Sequence, residues 1–233
     1  MLIFARSSTE NMILDAHCHY VDLKREYEAV IAAVSVDFRS SLDTLSLNSK
    51  RILKGVGIHP WRAHIEKVEE VLPLVEKADF VGEVGLDYRL SEAPREVQRR
   101  VFQSFLFEDK TLNVHALDAW EEALSTMIRR GVRRAILHWY TGSPELLKDI
   151  EGAGYFITVN PSITFQRKHQ DAVRRAPPGV ILMESDGGYV YRGILLEPNM
   201  IPKTEEFTAE LLGLEVEELH RVVEGNFRRA FNL

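Results

Sequence analysis

Eight times along the chain, a short run of apolar and β-branched residues gives way to a stretch in which apolar positions recur at helical spacing. The short runs are "MILDA", "AVIAAVSV", "ILKGVGI", "FVGEVG", "LNVHAL", "RAILHW", "YFITVN" and "VILMES". Between them lie "IEKVEEVLPLVEKA", "EVQRRVFQSFLFEDK", "DAWEEALSTMIRR" and "SPELLKDIEGA", with Gly or polar residues punctuating each return to strand. Strands alternating with helices indicate a parallel sheet. Eight such units in 233 residues match an α/β protein with a single (β/α)8 TIM barrel, and a doubly wound open sheet is the alternative. The first helix is expected around "LKREYE", and the last two around "EEFTAELLG" and "VEELHRVVEGNFRRAF". No long linker or composition shift divides the chain. The reading is therefore one domain over residues 13–233, preceded by an N-terminal extension over residues 1–12.

In such a barrel, functional residues gather at the C-terminal ends of the strands, around one mouth. The polar residues at those ends are His17 and His19 in "DAHCHY", His59 in "GIHP", and Glu83 and Asp87 in "VGEVGLDY". They continue with His115 in "NVHAL", His138 in "ILHWYTG" and Asp186 in "MESD". Alternation along the first strand projects Asp15, His17 and His19 one way, and Ala16 and Cys18 the other. A set of imidazoles and carboxylates suits a divalent ion. His115 and His138, taken singly, also read as hydrogen-bonded core histidines. Glu83 and Asp186 are harder to explain that way, because a buried and unpaired carboxylate demands a cation or a proton. Asp87 reads as an acceptor behind a ligating histidine or as a helix cap. His64, His169 and His220 lie away from strand ends and are expected at the surface.

The formal charge of -6 excludes a generally nucleic-acid-coating surface and confines any such contact to a groove. "RRGVRR", before the sixth strand, falls at the opposite end of the barrel and reads as solvated surface. Cys18 is the only cysteine, so no intramolecular disulfide is possible, and no apolar run approaches a membrane span. The expected location is cytoplasmic. There is no G-x-S-x-G and no G-x-x-x-x-G-K, which argues against a serine nucleophile and a phosphate-cradling loop.

The ordered series "DAHCHY", "GIHP", "GEVGLDY", "VH", "LHWYTG", "ESD" and "GNFRRAF" resembles the TatD family of metal-dependent deoxyribonucleases, which belong to the amidohydrolase-like metallo-dependent hydrolases. The resemblance runs from about residue 13 to the C-terminus. It implies that His17, His19 and Asp186 bind one metal, that Glu83 bridges to a second, and that His115 and His138 complete the second site. It also implies a phosphate contact for His59 and structural roles for Asn226 and Phe231. The chain departs from the family pattern where "VHALDAW" lacks an arginine after the histidine, where "YRLSEAP" follows "GLD", and where "SDGGY" replaces "SDSPY".

The expected function is that of a metal-dependent hydrolase, a deoxyribonuclease cleaving DNA phosphodiesters at a single-stranded end through a metal-activated hydroxide. Two divalent ions, Mg, Mn or Zn, would serve as cofactors. Asp186 and Glu83 are the expected catalytic residues, with Asp186 as general base. His59, Arg62, Arg89 and Arg192 are expected to hold phosphate oxygens, and Trp61, Tyr88, Trp139 and Tyr140 to stack bases or to pack loops over the mouth. The same site also suits a small-molecule amidohydrolase or esterase, and a catalytically silent metal-binding protein is a third alternative.

Overall fold

A computed structural model of the protein describes residues 12–23 and 25–233. Nearly all of the expected N-terminal extension, and Lys24 within "LKREYE", lie outside the described residues. Eight parallel strands follow one another in sheet order: β1 (Ile13–Cys18), β2 (Ala29–Ala33), β3 (Ile52–Val56), β4 (Phe80–Asp87), β5 (Leu112–Leu117), β6 (Ala135–Leu137), β7 (Phe156–Val159) and β8 (Ile181–Met183). The ring closes just past β8, where Cys18 bridges Gly187 in parallel register. There the Asp186 N–H donates to the His17 carbonyl (3.0 Å) and the His19 N–H to the Gly187 carbonyl (2.8 Å). The chain is thus a TIM barrel, and its closing seam runs through the predicted ligands.

The helices are α1 (Phe38–Ser46), α2 (Val68–Val71), α3 (Arg95–Ser104), α4 (Trp120–Arg129), α5 (Leu147–Gly152), α6 (Arg167–Arg175), α7 (Ile201–Leu212) and α8 (Val216–Phe231). Their apolar faces cover the outside of the strands. Phe102, Leu124, Met127, Ile150, Val173 and Leu219 share one core with Leu112, Val114, Leu137 and Ile181. A second core joins Leu14, Val30, Leu53, Phe80, Ile136, Phe156 and Leu182, one from each of seven strands, to Phe227 of α8. Only the barrel interior can bring those residues together, so it is a packed apolar plug below the mouth. Among the described residues no helix is long and apolar enough to cross a membrane.

Two helices differ from expectation. The described residues of "LKREYE" form no helix: a single 3-10 turn spans Tyr20–Asp22, Leu23 is extended, and Arg25 (2.9 Å) and Tyr27 (2.6 Å) both reach Glu197. So short a stretch cannot offset the cost of helix nucleation. The helix of that region instead follows β2 as α1, started by a reciprocal capping box between Asp37 and Ser40. The expected "IEKVEEVLPLVEKA" helix is reduced to α2 and a 3-10 segment Leu72–Lys77, because Pro73 has no N–H to continue an α-helical ladder.

Candidate metal centre

Strand direction delivers the predicted set to one mouth. His17 and His19 come from the end of β1, Glu83 and Asp87 from β4, and His115 from β5; His138 and Asp186 sit just past β6 and β8. The two oxygens of Glu83 divide the set into two groups. Oε2 lies 3.6 Å from His17 Nε2 and 3.5 Å from His19 Nε2, and Asp186 Oδ1 lies 3.5 and 3.4 Å from the same two nitrogens. Oε1 lies 3.0 Å from His138 Nε2 and 3.1 Å from His115 Nδ1, which are themselves 3.0 Å apart. His59 Nε2 approaches Oε1 at 3.4 Å. Two clusters of potential ligand atoms thus share one buried carboxylate.

Hydrogen bonds behind the rings fix which nitrogen is free. Asn113 donates from Nδ2 to the Ala16 carbonyl (2.8 Å), so its Oδ1 must accept from His17 Nδ1 (2.8 Å). The His17 Nε2 lone pair therefore faces the carboxylates of Glu83 and Asp186. His115 Nε2 meets Asp87 Oδ2 (3.0 Å), which also accepts from Trp61 Nε1 (2.6 Å), and Asp87 Oδ1 takes the N–H groups of Arg89 and Leu90. Asp87 thus takes the first of its two expected roles, acceptor behind a histidine; it caps a turn and not the next helix, which begins at Arg95 behind Pro94. His59 differs. Its Nδ1 accepts from the Trp61 N–H (3.2 Å), so Nε2 carries the proton and acts as a donor.

The residues fit cations. His17 Nε2, Glu83 Oε2 and Asp186 Oδ1, with His138 Nδ1 and Glu184 Oε1 beneath them, are buried atoms with no hydrogen-bond partner among the described residues, which is costly unless positive charge is supplied. The acid–base balance carries the same demand. Burial works against charge on Glu83, yet the rings of His59, His138 and His17 hold its carboxyl well below the usual range. Burial likewise opposes charge on His138, but Glu83 and Glu184 raise it well above an ordinary imidazole. His19 is raised against burial by Asp186 and Glu83, and His115 by Asp87 and Glu83. For His59 burial wins, and its pKa falls to about 4.

A cavity of about 670 Å³ opens above this centre, lined by His19, His59, Glu83, His115, His138 and Asp186 on its floor. Arg62 and Arg89 are on its wall, but neither is free: Arg89 grips Asp118 through Nε (2.8 Å) and Nη2 (2.6 Å), and Arg62 meets Glu66 (3.2 Å) and Asp37 (3.6 Å). Arg192 stands outside that lining, on a hairpin after β8, its guanidinium over Phe165 and Tyr191. Trp61 and Trp139 line the cavity. Tyr140 is fully buried, its hydroxyl donating to the Ser143 carbonyl, and Tyr88 is covered by Arg95; packing, not base stacking, explains both.

Three buried polar residues extend the set. Asn113 and Glu184 lie two residues before His115 and Asp186, and Thr158 donates to Glu184 Oε2 (2.5 Å). Alternation on β5 puts Asn113 on the face of His115, whereas Glu184 lies past β8 and Thr158 has no such neighbour. Asp15 does not join the ligands: its oxygens accept from the Ser185 N–H (2.9 Å), the Ser185 hydroxyl (2.5 Å) and the His17 N–H (3.2 Å), and burial pushes its pKa up to about 7. Of the three histidines expected at the surface, only His64 is exposed. His220 is buried against Glu205 (3.1 Å), and His169 is fully buried between the Tyr140 carbonyl (2.8 Å) and the Asn160 N–H (3.3 Å).

The chain is similar to known proteins over nearly its whole length. The chain is 28% identical to the uncharacterized metal-dependent hydrolase YcfH of Escherichia coli, over 95% of this chain and 96% of that protein. It is 24% identical to human deoxyribonuclease TATDN3 over 94% of both. Among solved structures, the TatD homologue YJJV of Escherichia coli superposes with a TM-score of 0.85 at 20% identity, covering 95% of this chain and 98% of that one. Residues 14–232 match the family described as TatD related DNase, and the chain therefore belongs to the TatD family of metal-dependent hydrolases.

Proposed function

We propose that the protein hydrolyses phosphodiester bonds of DNA, and that the two ligand groups on either oxygen of Glu83 carry the reaction. In this reading His17, His19, Asp186 and Glu83 Oε2 hold one divalent ion, and His115, His138 and Glu83 Oε1 hold a second. Bound there, Mg, Mn or Zn ions supply the positive charge that acidifies water and stabilises charge on the phosphoryl oxygens. Asp186 lies on the cavity floor as well as against His17 and His19, so it is placed to take the proton of the attacking water. His59, with its proton on Nε2 and its pKa about 4, stays neutral at pH 7 and donates a hydrogen bond to a phosphate oxygen. Asn113 and Asp87 hold His17 and His115 in the tautomers that ligation requires. The matched family and the human relative's name, deoxyribonuclease, support DNA as the substrate.

The single observation that carries this reading is that one buried carboxylate, Glu83, faces two imidazoles through each of its oxygens, His17 and His19 at Oε2 and His115 and His138 at Oε1. It is tested by cleavage of an end-labelled DNA oligonucleotide with metal-stripped protein to which Mg²⁺, Mn²⁺ or Zn²⁺ is restored. A metal-dependent ladder is expected from the natural sequence and none from Glu83→Gln, which also binds less metal. Full metal occupancy without cleavage of DNA, but with cleavage of a carboxylic ester or amide, would replace this reading by that of a small-molecule hydrolase.

A further inference from the structure

Beyond β8 the chain forms a small antiparallel hairpin, β9 (Val190–Tyr191) and β10 (Ile194–Leu195), which leans over the cavity beside the segment that follows β7. Large apolar side chains are exposed here in one place: Phe165 (47%), Tyr189 (36%), Val190 (57%) and Ile194 (52%). The rings form a continuous ridge. Trp139 meets Tyr191 edge to face at 5.0 Å, Phe165 stacks on Tyr191 at 6.0 Å with an angle of 11°, and Tyr189 lies 6.5 Å from Tyr191. Trp139 is held by its Nε1 donating to Gln166 (2.9 Å). Trp139, Tyr189 and Tyr191 line the same cavity as His138 and Asp186, so the ridge is continuous with the metal centre.

Charge distinguishes this side of the mouth from the other. Lys168 lines the cavity and Arg192 lies over the Phe165 and Tyr191 rings; among the described residues neither has a carboxylate partner. On the opposite wall Arg89 is neutralised by Asp118, and Arg62 by Glu66 and Asp37. Among the described residues, a phosphate entering the mouth therefore finds cations without a carboxylate partner along the ridge. Trp139 (φ 43°) takes the left-handed backbone that L-residues rarely adopt, and Arg192 (φ 51°) shares it with Gly193 (φ 83°) in the two-residue turn of the hairpin, which places Arg192 at the tip.

Exposed π faces alternating with unpaired cations are what a single nucleic-acid strand requires, because every base offers a face and every link an anion. We propose that Trp139, Phe165, Tyr189 and Tyr191, with Lys168 and Arg192, form the track on which single-stranded DNA extends from the metal centre. This rests on the phosphodiesterase reading above and adds the direction of the strand and the residues that recognise it.

The test compares two substrates, an end-labelled oligothymidylate and the p-nitrophenyl ester of thymidine 5′-phosphate, whose single nucleoside cannot cover the length of the ridge. The full chain with metal restored is measured beside Tyr191→Leu, Phe165→Leu and Lys168→Ala/Arg192→Ala. Leucine keeps the apolar packing while removing the ring face, so a folding defect does not substitute for a binding effect. The oligothymidylate-to-ester ratio of kcat/KM is expected to fall roughly 10-fold for loss of a stacking ring. The double variant is expected to flatten the slope of log KM against log salt by about 0.7 for each cation removed. Arg130→Ala, exposed on the loop before β6 at the far end of the barrel, should leave the ratio and the slope as they are. A ratio and a salt slope unchanged in every ridge variant would overturn the track and leave the phosphodiesterase reading standing. Cleavage of the ester alone by the natural sequence would also overturn the track. Cleavage of neither substrate would overturn both.

Discussion

A ligand atom is defined as much by what lies behind it as by what it faces, and His17 shows this at the scale of one residue. Its Nε2 faces two carboxylates only because Asn113 holds the other nitrogen at 2.8 Å and is itself held by the Ala16 carbonyl. Asn113→Ala should therefore weaken metal binding roughly 10- to 100-fold through the group containing His17, while leaving the ligand set intact. Competition with a chromogenic chelator would measure it; unchanged affinity would mean that His17 is oriented by its stacking on His138, 4.0 Å away. That imidazoles and carboxylates converge at one mouth is legible in the sequence, because such groups at the ends of apolar strands have few structural uses. Asn113 and Glu184 were not, since a single amide or carboxylate within "LNVHAL" or "VILMES" gives no sign of which neighbour it touches. Arg62 and Arg89 were legible as cations near the mouth, but their partners Glu66, Asp37 and Asp118 belong to the fold and not to the motif.

Among elements, legibility followed amphipathic length. The sixteen residues of α8 begin and end where their apolar spacing does, burying Leu219, Val223, Asn226, Phe227 and Ala230 along one face. Asn226 is fastened to the Pro178 and Ile181 carbonyls at 2.8 and 2.7 Å, and Phe231 packs on Phe80 and Phe227, consistent with their expected structural roles. In α6 the same patterning misleads. His169 follows Arg167 and Lys168 and looks solvated, yet it is the element's fully buried anchor, joining the chain after β6 to the chain after β7 through Tyr140 and Asn160. Burial lowers its pKa to about 4. Between that value and the unfolded value near 6.5 the unfolded chain takes up a proton that the native chain refuses, so His169 favours folding above pH 6.5 and loses that contribution as pH falls. The full loss is about 3 kcal/mol below pH 4. Urea unfolding of metal-free protein should thus show a steeper decline in stability from pH 6.5 to 4 than His169→Gln does. Parallel pH profiles would show that the ring is not the group refusing the proton.

For the whole molecule, the site and the barrel's closure are the same structure. The strand count was readable because each strand–helix unit repeats a pattern, but the seam between first and last strands is a long-range fact that no local pattern carries. At that seam Asp15 accepts from Ser185, Ser185 Oγ accepts from the Gly187 N–H (2.8 Å), and the His17 carbonyl accepts from Asp186. His17 and His19 on one side of the closing gap and Asp186 on the other therefore present candidate ligand atoms across it, while Glu83, His115 and His138 stand on the opposite arc. An ion held by both sides binds the closed ring and not the open chain, so its binding free energy adds to folding. At an ion concentration 100 times the dissociation constant, one site contributes about 2.7 kcal/mol, which for a chain of this size corresponds to roughly 5 to 10 °C in melting temperature. Chelation should lower the melting temperature by that order. It should also raise amide exchange first at His19, Asp186 and their neighbours across the seam, before the plug around Leu14, Phe80 and Phe227 opens. An identical melting curve after complete removal of metal, verified by elemental analysis, would mean that the hydrogen bonds of the seam close the barrel unaided.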